Sequence, residues 1–295
     1  MRLDERPDEK EEAMRKIPNL RGLAVILAAL TLLAFGNHAG TPTGAVNASS
    51  ATVKKKGVSA WNFTGVTNAL ADSKAGWFYT WSSGKQQITP PSGVEFVPMI
   101  WGKGSVTDAE LGQAEQQGKT LLGFNEPDMP GQADMTVPQA LDLWPRLQST
   151  GMRLGAPAVA TGADVADGWL DRFMKGAASR HYKVDFIPLH WYGGDFDATH
   201  ATAQLRNYLQ ATYNRYKKPI WLTEYALIDF STGTPRYPTQ AQQAAFVKQS
   251  TAMLQGLPFV ERYAWFTLST SRGDGTGLYN GATANEVGAA YRAAG

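Results

Sequence analysis

The chain has 295 residues, 43% hydrophobic and 18% charged, with 28 Lys+Arg against 26 Asp+Glu. It can bury a substantial core and is not a disordered chain, and a net charge of +2 leaves no electrostatic footprint for nucleic acid. The absence of cysteine excludes disulfides, thiolate metal centres and a cysteine nucleophile, and the four histidines (His38, His181, His190, His200) lack the close spacing of a zinc-peptidase helix.

The N-terminus reads as an address. Arg15, Lys16 and Arg21 precede a 13-residue apolar run, Leu23–Phe35, and small and polar residues follow from Gly36 to Ser50. This is the layout of a secretory signal, with Val46-Asn47-Ala48 as the cleavage site, and the run is shorter than the ~20 residues of a spanning helix. An uncleaved segment would instead tether the protein to a membrane. Residues 1–13 hold six acids, whereas Met14-Arg15-Lys16 leads directly into the run, so Met14 is the expected initiator. Residues 1–48 are therefore assigned to the signal and its cleavage region, and residues 49–56, with Lys54-Lys55-Lys56, to a solvated lead-in. The 295 residues less these first 48 leave 247, close to the ~250 of one (β/α)₈ barrel.

Short β-branched or aromatic runs alternate with helical patterns through the rest of the chain. Strands are expected at Gly57–Trp61, Gly76–Trp81, Glu95–Trp101, Thr120–Asn125, Arg153–Pro157, Val184–Tyr192, Ile220–Tyr225 and Arg262–Leu268. Helices are expected at Asp108–Gln117, Val137–Ser149, Gly168–Ser179, Ala201–Tyr216, Thr239–Leu254 (with Thr239 as its cap) and Asn285–Arg292. The first two inter-strand segments carry little helix signal. The reading is an α/β fold, a single (β/α)₈ barrel over residues 57–295 preceded by a signal segment. An open doubly wound sheet shares the same alternation and stays open at this point.

Chemistry in such a barrel gathers at the C-terminal strand ends. Those ends carry Trp61, Trp81, Trp101, Asn125-Glu126, His190-Trp191-Tyr192, Glu224-Tyr225 and, near the eighth, Trp265. Two carboxylates among aromatic rings suit sugar chemistry: rings stack on pyranose faces while carboxylates act as acid, base or nucleophile. Glu126 lies before Pro127, which ends its strand. It would protonate a leaving oxygen if its pKa were raised; the plainer reading is a surface glutamate in a loop. Glu224 follows the apolar run Ile220-Trp221-Leu222, where an acid needs a partner; the plainer reading there is an ion pair with a base such as Arg262. Tyr192 is placed to hydrogen-bond the second carboxylate, His190 to hold substrate or a neighbouring group, and Asn125 to hold a sugar 2-hydroxyl. Trp144, Trp169 and Trp221 read as packing, and Asp128, Asp195 and Asp197 as turn acids. The loop Gly273-Asp274-Gly275-Thr276-Gly277 opens no helix and is not read as a phosphate cradle. Asn47-Ala48-Ser49 and Asn62-Phe63-Thr64 fit the N-glycosylation pattern, which matters only in a eukaryotic secretory host.

Four motifs carry a resemblance. Phe-Val-Pro-Met-Ile-Trp-Gly at 96–102, Gly-Phe-Asn-Glu-Pro-Asp at 123–128, His-Trp-Tyr at 190–192 and Trp-Leu-Thr-Glu-Tyr-Ala at 221–226 resemble glycoside hydrolase family 128, from about Lys56 to Tyr291. The resemblance implies a (β/α)₈-barrel endo-β-1,3-glucanase that retains configuration, with Glu126 as acid/base and Glu224 as nucleophile. It places Asn125, His190, Tyr192, Trp61, Trp81, Trp101, Trp191 and Trp265 as substrate-binding residues, the tryptophans carried over less safely because subsite aromatics vary within the family. β-1,3-Glucan and its oligosaccharides are the implied partners. No metal or organic cofactor, nucleic acid or obligatory protein partner is required, and a monomer is the default. Two alternatives share these residues: a retaining glycosidase for another β-glycan, and a catalytically silent glucan-binding lectin or sensor.

Overall fold

A computed structural model describes residues 54–271, 273 and 275–295. The signal and cleavage region, Met14, the Asn47 glycosylation pattern, the first residues of the lead-in and Asp274 lie outside the described residues. Eight strands form the frame: β1 (Lys56–Ser59), β2 (Trp77–Tyr79), β3 (Glu95–Phe96), β4 (Thr120–Leu121), β5 (Arg153–Leu154), β6 (Ile187–Gly193), β7 (Ile220–Leu227) and β8 (Val260–Trp265). Helix α1 (Val66–Ser73) follows β1, α2 (Asp108–Gln117) follows β3, and α3 (Val137–Gln148), α4 (Trp169–Ser179), α5 (Ala198–Tyr216), α6 (Gln240–Gly256) and α7 (Glu286–Ala293) follow β4 to β8. A small hairpin, β9 (Tyr279–Asn280) and β10 (Thr283–Ala284), precedes α7.

Helix starts obey local rules. Thr107 accepts a hydrogen bond from Glu110 N at α2, and Thr136–Gln139 and Thr239–Gln242 form reciprocal capping boxes at α3 and α6. Helix α1, which the sequence reading did not contain, has no side-chain cap. It is entered through Gly65 at φ 93°, so no polar start signal was written in the sequence. No helix follows β2 among the described residues.

The barrel is closed. β3-β2-β1-β8-β7-β6 form one parallel sheet and β4-β5 a second parallel pair. Parallel bridges Met99↔Leu122 and Gly155↔Phe186 join the two on both sides, with Ile100 N donating to Leu122 O (3.1 Å) and Ala156 N to Phe186 O (3.0 Å). This removes the open-sheet alternative. Several strands are shorter than expected because pairing continues beyond them as single bridges.

Residues alternate between the two faces of the wall, with a change of phase along β7 between Leu222 and Tyr225. Val58, Phe78, Phe96, Leu121, Leu154, Leu189, Tyr225, Tyr263 and Trp265 point outward into the helix layer. Trp61, Trp77, Tyr79, Trp81, Val97, Met99, Leu122, Phe186, Trp221 and Ala264 fill the interior. The filling is tight enough to require glycine: a Cβ at Gly57 would lie 2.3 Å from the Trp77 indole, and one at Gly155 2.6 Å from the Phe186 ring. At the N-terminal end, Arg262 lies over Trp221 (4.4 Å) and Trp77 (5.5 Å), and Glu261 accepts from Arg153 (2.6 Å) and the Trp221 indole (2.7 Å). Stacked guanidinium and indole groups thus plug the bottom of the barrel.

Candidate active site

Both glutamates come to the C-terminal mouth by departures from regular strand geometry. Glu126 stands at φ 42°, a strained conformation for a residue with a side chain, held by its N–H on Ala158 O at 2.7 Å. The turn after it is tied back by Ala133 N to Asn125 O (3.2 Å) and Met135 N to Pro127 O (2.8 Å). Asp128 accepts from Ala160 N at 2.8 Å and so fastens this turn to the loop after β5. Glu224 sits where the pairing register shifts on both sides of β7, which sets His190 directly beside it.

The two carboxyl groups are buried, at 7% (Glu126) and 5% (Glu224) exposure. His190, 1% exposed, stands between them, with Nδ1 2.8 Å from Glu126 Oε1 and Nε2 3.5 Å from Glu224 Oε1. Three neutral donors converge on Glu224: the Trp81 indole on Oε1 at 2.7 Å, Tyr192 OH on Oε2 at 2.5 Å, and Tyr79 OH, which lies 3.1 Å from both Oε1 and Thr223 O and shares its proton between them. Glu224 makes no pair with Arg262, whose guanidinium binds Glu95 at 2.6 Å.

Burial raises the Glu126 pKa and the Glu224 and Asp128 charges add to it, while the hydrogen bond from His190 pulls partly the other way. Burial alone would lower His190, but the Glu224 and Glu126 carboxylates beside it outweigh that and raise it. The Tyr79 and Tyr192 hydroxyls are pushed well above the usual phenol range, by burial first and then by Glu224, so both serve only as donors to it.

One ligand atom each of Glu126, His190 and Glu224 lies within 4.8 Å of the others. A cation would meet few free lone pairs there, since Glu224 already accepts three hydrogen bonds and Glu126 Oε1 shares a proton with His190 Nδ1. The set is better suited to passing protons and accepting a carbon electrophile.

The structure sorts the expected aromatics. Trp61, Trp81 and the half-buried Trp101 reach the mouth, as do Tyr192 and Asn125. Asn125 donates from Nδ2 to Gln132 Oε1 at 3.3 Å. Two expectations are corrected. Trp265 has 0% exposure and faces the helix layer, its indole donating to Thr276 O and packing on Tyr225 at 5.0 Å. Trp191 likewise turns outward onto Phe246 at 5.7 Å. Both sit one residue out of phase with the inward face. Phe266 takes the place given to Trp265, meeting Trp81 at 5.9 Å and Tyr192 at 5.6 Å; alternation along Tyr263-Ala264-Trp265-Phe266 was the signal for it. Tyr79, missed as a site residue, also lies on the inward parity of β2. Trp144 and Trp221 pack as expected, Trp169 stacks on Phe173 at 5.7 Å, and Asp195 and Asp197 serve the turn and cap of α5. A separate cavity of about 550 Å³ beside the loop after β2 is lined by Ser82, Gln86, Gln87, Gln113 and Gln117 among others, with no carboxylate in its wall.

Comparison with known proteins agrees with this geometry. The pattern of the glycosyl hydrolase catalytic core matches residues 58–291. A subgroup I GH128 endo-β-1,3-glucanase from Amycolatopsis mediterranei, solved with laminaritriose, is 68% identical with a TM-score of 0.81, over 82% of this chain and 100% of that one. A subgroup III curdlan-specific exo-β-1,3-glucanase from Blastomyces gilchristii, solved with glucose, is 28% identical with a TM-score of 0.65, over 82% and 99%. Alkali-sensitive linkage protein 1 of Schizosaccharomyces pombe is 30% identical over 223 residues, 73% of this chain; the chain spans only 39% of the length of that curated relative.

Proposed function

The chain belongs to the glycosyl hydrolase catalytic core family and, within it, to glycoside hydrolase family 128, and from that membership we propose that it is a secreted, retaining endo-β-1,3-glucanase. The observation that carries the reading is the carboxyl pair: oxygens of Glu126 and Glu224 within 4.8 Å, bridged by His190, at the mouth of a barrel 68% identical to a laminaritriose-bound endoglucanase. Retaining glycosidases hold their carboxyls ~5–5.5 Å apart, and inverting ones ~6.5–9.5 Å to admit a water.

In the proposed reaction Glu224 attacks the anomeric carbon and forms a glycosyl ester as the C–O bond to the leaving glucan breaks. Glu126 gives its proton to the departing oxygen. A water then attacks the same carbon, Glu126 takes its proton, and Glu224 leaves as carboxylate. His190 faces Glu126 at 2.8 Å and stabilises the charge that appears there after proton transfer. Tyr192 holds Glu224, and Trp101 and Phe266 are the rings best placed to meet sugar. Residues 57–295 constitute the catalytic domain and residues 1–48 the signal removed on export, which the N-terminal mass of the secreted protein tests.

The test is reducing-sugar release by purified residues 49–295 from β-1,3-glucan, mixed-linkage glucan, cellulose and mannan. Short oligomers are expected from β-1,3-glucan. Glu126→Gln is expected to lower kcat/KM by about 10²–10⁴-fold, and Glu224→Gln to abolish release. Release from a different glycan alone would discard the substrate. Binding with no release from any glycan would overturn the enzyme reading in favour of a lectin.

A further inference from the structure

Trp81 carries two features that a sugar-stacking ring does not need. Its backbone sits at φ 56°, and its indole N–H is spent on Glu224 Oε1 at 2.7 Å. Only 9% of the residue is exposed. The Trp61 ring covers one face at 6.1 Å and 26°, Tyr79 closes on it edge-on at 5.1 Å, and Phe266 does so at 5.9 Å. Trp61 is itself fixed: its indole donates to Ser271 Oγ at 2.9 Å, and Ser271 is tied to Ser269 through Ser271 N at 3.0 Å and a hydroxyl contact of 2.9 Å. A ring that serves as a platform must offer an open face to the sugar. This one is clamped on several sides with its polar edge aimed at a carboxylate.

We propose that Trp81 is a positioning residue for Glu224 rather than a sugar platform, and that Trp61, anchored by Ser271 in the loop after β8, is the brace that holds it. Among the described residues no Lys or Arg pairs with Glu224, so its orientation rests on neutral donors and His190. Two of those donors share Oε1. The Trp81 N–H fixes the carboxylate plane for attack, and in the second half-reaction it meets the charge that returns to Glu224 as the ester C–O bond breaks. The proposal rests on Glu224 being the nucleophile, as argued above.

The experiment compares Trp81→Phe with wild type. Phenylalanine keeps a ring against Trp61 and Phe266 and deletes the N–H. Loss of one hydrogen bond to a charged group predicts a fall in kcat of about tenfold to a hundredfold on laminari-oligosaccharides. KM should stay within a small factor, and inactivation by a 2-fluoro laminaribiosyl fluoride should slow in parallel. Ser271→Ala, which removes the hydroxyl that anchors the brace together with its contact to Ser269, should lower kcat by a smaller factor at unchanged KM. Wild-type kcat in Trp81→Phe, or a rise in KM alone, would overturn the assignment. The Trp81 indole N–H resonance in ¹⁵N-labelled protein gives a readout independent of turnover. It should shift upfield in Glu224→Gln, and an unmoved resonance refutes the contact even if the wild-type protein cleaved no glucan.

Discussion

A carboxyl group taken out of water prefers to keep its proton, and Glu126 illustrates the consequence for pH. Its pKa lies above the ordinary 4.5, raised first by burial. In the proposed reaction the first half needs Glu126 protonated, so the alkaline limb of kcat/KM should report that raised value. Glu224 is a smaller contributor of the same sign, so Glu224→Gln should lower the Glu126 pKa, measured by its carbonyl stretch or carboxyl ¹³C titration; an unchanged titration would show that the acids are not coupled. The stability sign follows from the same shift. A folded-state pKa raised above the unfolded one stabilises below the unfolded value and is lost as pH rises through the folded one. Glu126→Gln should therefore raise Tm relative to wild type near pH 8, with the gain fading below about pH 4. The placement of both acids at strand ends was legible in the sequence, Glu126 before Pro127 and Glu224 after Ile220-Trp221-Leu222. The bond from Tyr192 to Glu224 was legible as well. The left-handed turn at Glu126 and the donors Tyr79 and Trp81 on Glu224 were not, because they depend on β2, the residues just after it and the loop after β5.

At the scale of the element, strand parity decides which aromatic reaches the mouth of the barrel. Trp101 and Trp265 are the same residue type near the ends of two strands, yet one faces the mouth and the other the helices. Trp101→Ala should raise KM for laminari-oligosaccharides severalfold with little loss of Tm. Trp265→Ala should leave KM unchanged and cost about 3–5 kcal/mol of stability, read as a drop in Tm or denaturant midpoint. Trp191 and Trp265 were singled out by their position near strand ends rather than by parity, and each stands beside the residue that does face inward, Tyr192 and Phe266. Helix starts carry a local signal, a threonine three residues before a glutamine at Thr136 and Thr239, and of these Thr239 is the one expected as a cap from the sequence.

Across the whole molecule, the barrel separates its stabilising end from its reactive end. The N-terminal rim is sealed by Arg262, Arg153, Trp77 and Trp221, while the C-terminal rim holds the strained turns and buried acids. Gly57→Ala forces a methyl into the Trp77 indole and should destabilise the whole barrel rather than one strand, by about 1–3 kcal/mol or more, visible as one cooperative shift of the melting transition. The strand-helix alternation, the helix caps and the two glutamates on the fourth and seventh strands were determined by the sequence alone, because periodicity, capping and the cost of an acid beside an apolar run are local. Closure of the barrel through single bridges and the seating of His190 between two carboxyl groups were decided only by tertiary structure. Each depends on where distant strands fall in register, and register is fixed by packing between residues far apart in the chain.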